Sequence, residues 1–124
     1  MKKRIMIVDD DPGILRAVKA LLEIEGLGVI AVDNGQDCIA ELGKGFRGVI
    51  LMDVDMPVMD GWDTIREMIN QGCIEGNIIS MLTGRDTPDQ KMEGLQEYVI
   101  DYITKPFDPD TFIAAVKGYL EHLK

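Results

Sequence analysis

Two cysteines and one histidine are all that 124 residues hold of the side chains that most often carry thiol, thiolate-metal or imidazole chemistry. Cys38 and Cys73 form no CxxC pair and no Cys/His metal spacing, which excludes a zinc module or a thioredoxin-like redox site. In a cytosolic protein both are expected to be reduced and packed. His122 stands one turn from the C-terminus with no nucleophile in its motif, and it reads as a solvated helix end. No apolar run approaches the ~20 residues needed to cross a bilayer. The basic start, Met1-Lys2-Lys3-Arg4, is not followed by a signal-peptide core, because Asp9, Asp10 and Asp11 interrupt the apolar stretch at once. The chain is therefore expected to be cytoplasmic, without a membrane partner. Basic residues are also scarce: 13 Lys and Arg against 22 Asp and Glu give a formal charge of −9. That balance argues against direct nucleic-acid binding, which needs a basic footprint. There is no repeat, low-complexity stretch or linker, so residues 1–124 are expected to form one domain.

What is present is an alternation of strand-like and helix-like segments. Ile5-Met6-Ile7-Val8, Val29-Ile30-Ala31-Val32, Val49-Ile50-Leu51-Met52 and Ile78 to Leu82 are short apolar runs, and Tyr98 to Ile103 contains a fifth strand. Between them, apolar residues recur at helical spacing. Pro12 opens a helix bearing Ile14, Leu15, Val18, Leu21 and Leu22, which Gly26 can end. Asn34-Gly35 leads into a short helix with Cys38, Ile39 and Leu42. Gly61 to Gln71 places Trp62, Ile65, Met68 and Ile69 on one face. Pro88 to Gln96 is a weaker helix, and Asp108 can cap a last one. Five β/α units predict a flavodoxin-like α/β fold, a doubly wound five-stranded parallel sheet of order 2-1-3-4-5 with five helices.

Every unusual polar residue follows a strand. Asp9 and Asp10 end the first, Asp53 the third, Thr83 the fourth and Lys105 the fifth. Open α/β sheets bind ligands at that carboxyl edge. Burying a lone carboxylate there is costly unless something offsets it. Acid, acid, hydroxyl and ammonium together suit a divalent cation and a phosphoryl group. Magnesium takes hard oxygen ligands and keeps several waters. Asp10 and Asp53 are the expected carboxylate ligands, Asp9 acts directly or through water, and the Asp55 carbonyl is the main-chain ligand. Taken alone, Asp9-Asp10-Asp11-Pro12 would read as an acidic helix cap. Thr83 before Gly84 would read as a turn, and Lys105 as a surface lysine. Pro106-Phe107 weakens that last reading, since an X-Pro bond after a strand fixes a sharp turn; a cis bond is allowed there.

At these residues the chain resembles the receiver domains of two-component response regulators, and a single-domain chemotaxis-regulator-like member in particular. The matching pieces are Ile7-Val8-Asp9-Asp10, Leu51-Met52-Asp53-Val54-Asp55-Met56-Pro57-Val58-Met59-Asp60-Gly61, Met81-Leu82-Thr83-Gly84 and Asp101-Tyr102-Ile103-Thr104-Lys105-Pro106-Phe107. The resemblance implies that a cognate histidine kinase phosphorylates Asp53, with Asp9, Asp10, Asp53 and the Asp55 carbonyl on Mg2+ (or Mn2+). It implies that Thr83 and Lys105 hold the phosphoryl group and that Tyr102 is a rotameric switch moving inward as Thr83 shifts. The protein would then be no turnover enzyme, only a self-phosphorylating and slowly self-dephosphorylating switch.

Two departures from the family pattern stand out. Tyr98-Val99-Ile100 occupies a stretch where small residues are usual. Asp55 and Arg85, each two past a key residue, are expected to pair across the site and shield the phosphoryl group from water. The output face is expected around the last two strands and helices, where Tyr98, Ile100 and Tyr102 would meet a target protein, a fused output domain or a second copy of the chain. The competing enzyme reading is a small haloacid-dehalogenase-like phosphatase, which also begins with an acidic pair after a strand. It wants a further acidic pair late in the chain, whereas the pair here comes first, and the chain lacks room for a cap. A degenerate receiver serving only as an interaction module is opposed by the presence of Asp9, Asp10, Asp53, Thr83 and Lys105.

Overall fold

A computed structural model describes residues 4–84 and 94–123. The strands are β1 (Ile5–Val8), β2 (Val29–Val32), β3 (Val49–Asp53), β4 (Ile78–Thr83) and β5 (Val99–Thr104). All pairings are parallel and the order is β2-β1-β3-β4-β5, as the alternation of segments predicts. The helices among the described residues are α1 (Pro12–Ile24), α2 (Gly35–Gly43), α3 (Gly61–Asn70) and α4 (Pro109–Glu121). The helix expected over 88–96 lies mostly outside the described residues. Its end is described, and there Gln96–Tyr98 makes one 3-10 turn before β5.

The helix starts follow from local chemistry. Asp11, Asn34, Asp60 and Asp108 are N-caps, each with a side-chain oxygen accepting a first-turn backbone N–H. Asp60 and Asp63 complete a capping box at α3. Pro12 and Pro109 stand in the first turns of α1 and α4, where their missing N–H costs nothing. Gly26, at φ +80°, ends α1 as expected, and the next residue, Leu27, donates its N–H back to the Leu22 carbonyl.

β1 and β3 are buried along their whole length, which is why they read as unbroken apolar runs. The sheet separates two cores of different chemistry. On the α1–α4 face lie Ile5, Ile7, Val18, Leu22, Leu51, Leu82, Phe112 and Val116, with Phe107 stacked on Phe112 at 4.4 Å. On the α2–α3 face lie Met6, Met52, Met56, Met68 and Met81 with Cys38 and Cys73. Both cysteines are free and buried, as expected. Burial pushes the Cys38 thiol up to about 12, with Cys73 adding to the shift, so it is an inert packing residue.

Candidate functional site

Parallel strands that stop at the same level bring their ends together. Ladder hydrogen bonds run one step past the strands at this edge. The Asp9 N–H reaches the Val32 carbonyl (3.2 Å), the Val54 N–H the Leu82 carbonyl (3.0 Å) and the Lys105 N–H the Thr83 carbonyl (2.8 Å). The residues at the site are thereby held by the rigid sheet rather than by free loops.

The structure brings Asp9, Asp10 and Asp53 together. One carboxylate oxygen from each lies within 4.8 Å of the others. Asp9 and Asp53 are buried and Asp10 is exposed. Lys105 reaches in from the end of β5: its Nζ donates to Asp9 Oδ2 at 2.8 Å and lies 3.1 Å from Asp53 Oδ1. The Lys105–Pro106 bond is cis. Sequence reasoning places Lys105 at the site but misses its bond to Asp9, because no spacing rule links residues 9 and 105. Main-chain donors complete the arrangement, Asp11 N–H to Asp9 Oδ1 (2.9 Å) and Asp55 N–H to Asp53 Oδ1 (3.2 Å).

Burial is the largest influence on Asp53 and pushes its carboxyl up to about 7, with the nearby Asp9 carboxylate adding to it. The Lys105 ammonium and the Asp55 N–H pull the other way and are outweighed. Burial also disfavours the Lys105 ammonium, but the hydrogen bond and charge of Asp9 and the charge of Asp53 prevail and raise it. One ammonium therefore serves two buried carboxylates, and a third carboxylate stands beside them. That surplus of converging anionic oxygen is a donor set for a hard divalent cation.

Thr83 ends β4, half-buried, on the side of the sheet that carries Ile79 and Met81. Tyr102 lies two residues before the end of β5; it is 42 % exposed, and its ring centroid is 6.4 Å from that of buried Trp62. Asp55 is exposed beside Asp53. Arg85, its expected partner, lies outside the described residues. His122 caps the end of α4 and is exposed, matching its reading as a helix end.

Gly61 shows how tightly the site is seated. A Cβ there would stand 2.5 Å from the carbonyl oxygen of Asp53 and 2.9 Å from Met81 Cε. The α3 N-terminus can therefore lie on the end of β3 only with glycine. Gly61→Ala is expected to lose about 1–3 kcal/mol of stability by overpacking. Urea unfolding checks this, and a variant as stable as the wild type would refute the close seating.

The profile of the response regulator receiver domain matches residues 5–117. The chain belongs to that family. A CheY-like receiver domain protein from Methanospirillum hungatei JF-1 has a crystal structure that superposes with a TM-score of 0.92 at 49 % identity, covering 98 % of this chain and 96 % of that one. PilH of Pseudomonas aeruginosa is 31 % identical over 94 % of this chain and 97 % of its own length. The response regulator TrrA of Thermotoga maritima, in complex with Mg(2+)-BeF, superposes with a TM-score of 0.79 at 26 % identity, covering 96 % of this chain and all of that one. The chain spans about half the length of several transcriptional regulators that it also matches. As a receiver domain it is a component of two-component signalling.

Proposed function

We propose that the protein is a phosphorylatable receiver whose acceptor is Asp53. The observation that carries this is the placement of Asp53: a buried carboxylate at a strand end, one ion pair from Lys105 and flanked by Asp9 and Asp10. The donor is a phosphohistidine of a histidine kinase. An Asp53 carboxylate oxygen attacks the phosphorus, the P–N bond breaks, and an acyl phosphate forms as the imidazole leaves.

Asp10, Asp53, Asp9 and the main-chain carbonyl of Asp55 would hold Mg2+ or Mn2+, and the TrrA complex supports that assignment. When bound, the cation neutralises charge on the phosphoryl oxygens. Lys105 then offers its ammonium to one phosphoryl oxygen, leaving Asp9 to the cation. Thr83 donates its hydroxyl to another. Tyr102, standing outward beside Trp62, is the ring that moves inward as Thr83 shifts. Differential hydrogen bonding of Thr83 in the two states biases the equilibrium. The face of β4, β5 and the helices beside them then meets a target protein, a fused output domain or a second copy of the chain.

Incubation with acetyl phosphate and magnesium tests the acceptor. Intact mass should rise by one phosphate in the wild type and not in Asp53→Asn. Equal labelling of that variant would remove Asp53 from the role. Turnover of a generic phosphate ester, absent from this reading, would favour a phosphatase instead.

A further inference from the structure

Asp101 and Tyr102 are consecutive in β5 and point to opposite faces of the sheet. Tyr102 stands against Trp62 on the α2–α3 face. The Asp101 carboxylate reaches Tyr119 of α4 on the other. Which of the two takes which face is decided one residue earlier. β4 and β5 pair through Ile79 with Val99 and then Ser80 with Asp101, so β5 uses two residues where β4 uses one. Ile100 is the extra residue, a β-bulge, and it is half exposed. In an unbroken ladder Ile100 would face Ser80, Asp101 would face Met81 and Tyr102 would face Leu82. A slip of one residue exchanges the faces of every later side chain. Tyr102 would turn into the α1–α4 core, and the Asp101 carboxylate would turn toward the methionine-lined one.

A polar triad sits just past the bulge. Ser80 is fully buried, and its hydroxyl lies 3.0 Å from the Tyr119 hydroxyl and 3.4 Å from the Asp101 carbonyl. The Tyr119 hydroxyl donates to Asp101 Oδ2 at 2.7 Å, and Asp101 Oδ1 accepts the Tyr102 N–H at 2.8 Å. Burial, helped by the Asp101 hydrogen bond, pushes the Tyr119 hydroxyl up to about 12, so it remains a donor at neutral pH. The slipped register would take Asp101 away from both hydroxyls; left with only each other, they can satisfy one of their two O–H hydrogens, and a buried O–H without an acceptor is costly.

We propose that Ser80, Asp101 and Tyr119 lock β5 in its bulged register and so set the face on which Tyr102 stands, which makes Tyr119 a positioning residue for Tyr102. The importance of that face for signalling rests on the reading of Tyr102 as the switch; the lock itself does not. The lock is a property of the unphosphorylated chain and is measured there, with neither phosphate nor metal, so a failure of phosphorylation would leave the measurement untouched. The full chain is compared with Tyr119→Phe by NMR. The wild type should show ring–ring NOEs between Tyr102 and Trp62. In Tyr119→Phe those NOEs should fall several-fold, and amides of residues 99–104 should exchange at least tenfold faster, while those of β1 and β3 keep their protection. Deleting Ile100 removes the bulge and leaves Tyr102 opposite Met81 in an unbroken ladder that needs no lock. In that background Tyr119→Phe should no longer alter the NOEs. Wild-type NOEs in Tyr119→Phe despite a lower melting temperature would overturn the proposal, as would equal losses in both backgrounds. Should Tyr119→Phe fail to fold, Asp101→Ala, at an exposed residue, carries the same expectations and the same refutation.

Discussion

At pH 8 without divalent cations, Lys105→Ala will unfold more easily than the wild type by an amount on the order of 2–4 kcal/mol, a little under the roughly 3–5 kcal/mol lost when one partner of a fully buried ion pair is removed, because the Lys105 side chain is 21 % exposed. Lys105 is the cation that Asp9 and Asp53 share, at 2.8 and 3.1 Å. Both carboxylates are buried, so water does not take over when the ammonium is gone. Two consequences separate this loss from ordinary truncation of a long side chain. Towards pH 5 Asp53 can take up a proton, so the deficit should shrink. Millimolar magnesium should also recover much of it, because a bound ion stabilises the folded state by mass action. Urea unfolding at both pH values, with and without magnesium, reads all of this. A deficit independent of pH and magnesium would mean that the ammonium does not balance the acidic site.

Asp53→Asn is expected to go the opposite way. Asp53 has a folded-state pKa near 7, raised from 3.8. A raised carboxyl favours folding fully below the unfolded value and loses that contribution as pH rises through the folded one. The neutral amide imitates the protonated form at every pH. In EDTA at pH 8 the variant should therefore be the more stable protein by on the order of 2–4 kcal/mol, since one pKa unit corresponds to about 1.4 kcal/mol. The gap should narrow steadily as pH falls from 7 and should vanish near pH 4. Magnesium should narrow it as well, by stabilising the wild type more. Thermal melts across this range decide the matter. Parallel curves for the two proteins would show that the folded protein does not disfavour the charged Asp53 carboxylate.

The parallel sheet and its order were legible because β1 and β3 are buried on both faces and so carry no polar residue until their ends. The same feature exposed much of the site: Asp9, Asp53 and Thr83 are visible in sequence as the first polar residues after apolar runs, and Lys105 follows Thr104 just past the end of β5. Pro12 and the Asp108 cap marked where the first and last helices begin, whereas the caps at Asn34 and Asp60 appear only in the structure. Contacts between distant strands were not legible. The Lys105–Asp9 bond joins residues that only the sheet order brings together. The Ser80–Asp101–Tyr119 triad was hidden for a related reason. Alternation within β5 is broken at Ile100, and a bulge depends on pairing with β4 rather than on the local sequence. Ser80, within an apolar run, was the single local sign that something polar faced it from α4.

The segregation of sulfur side chains to one side of the sheet gives the molecule an uneven mechanical character. Methionine is unbranched and polarizable and can refill a changed space by turning its own bonds. The α1–α4 core instead relies on branched aliphatic and aromatic side chains with few preferred rotamers. A displaced side chain entering from the Trp62 side thus meets material that yields, against a backing that holds its shape. The sheet works as a stiff plate with a cushion on one side only. That cushion lies under the same face as Thr83 and Tyr102, and among the described residues 13C-methyl methionine labelling would place its buried probes in the cushion and none in the α1–α4 core.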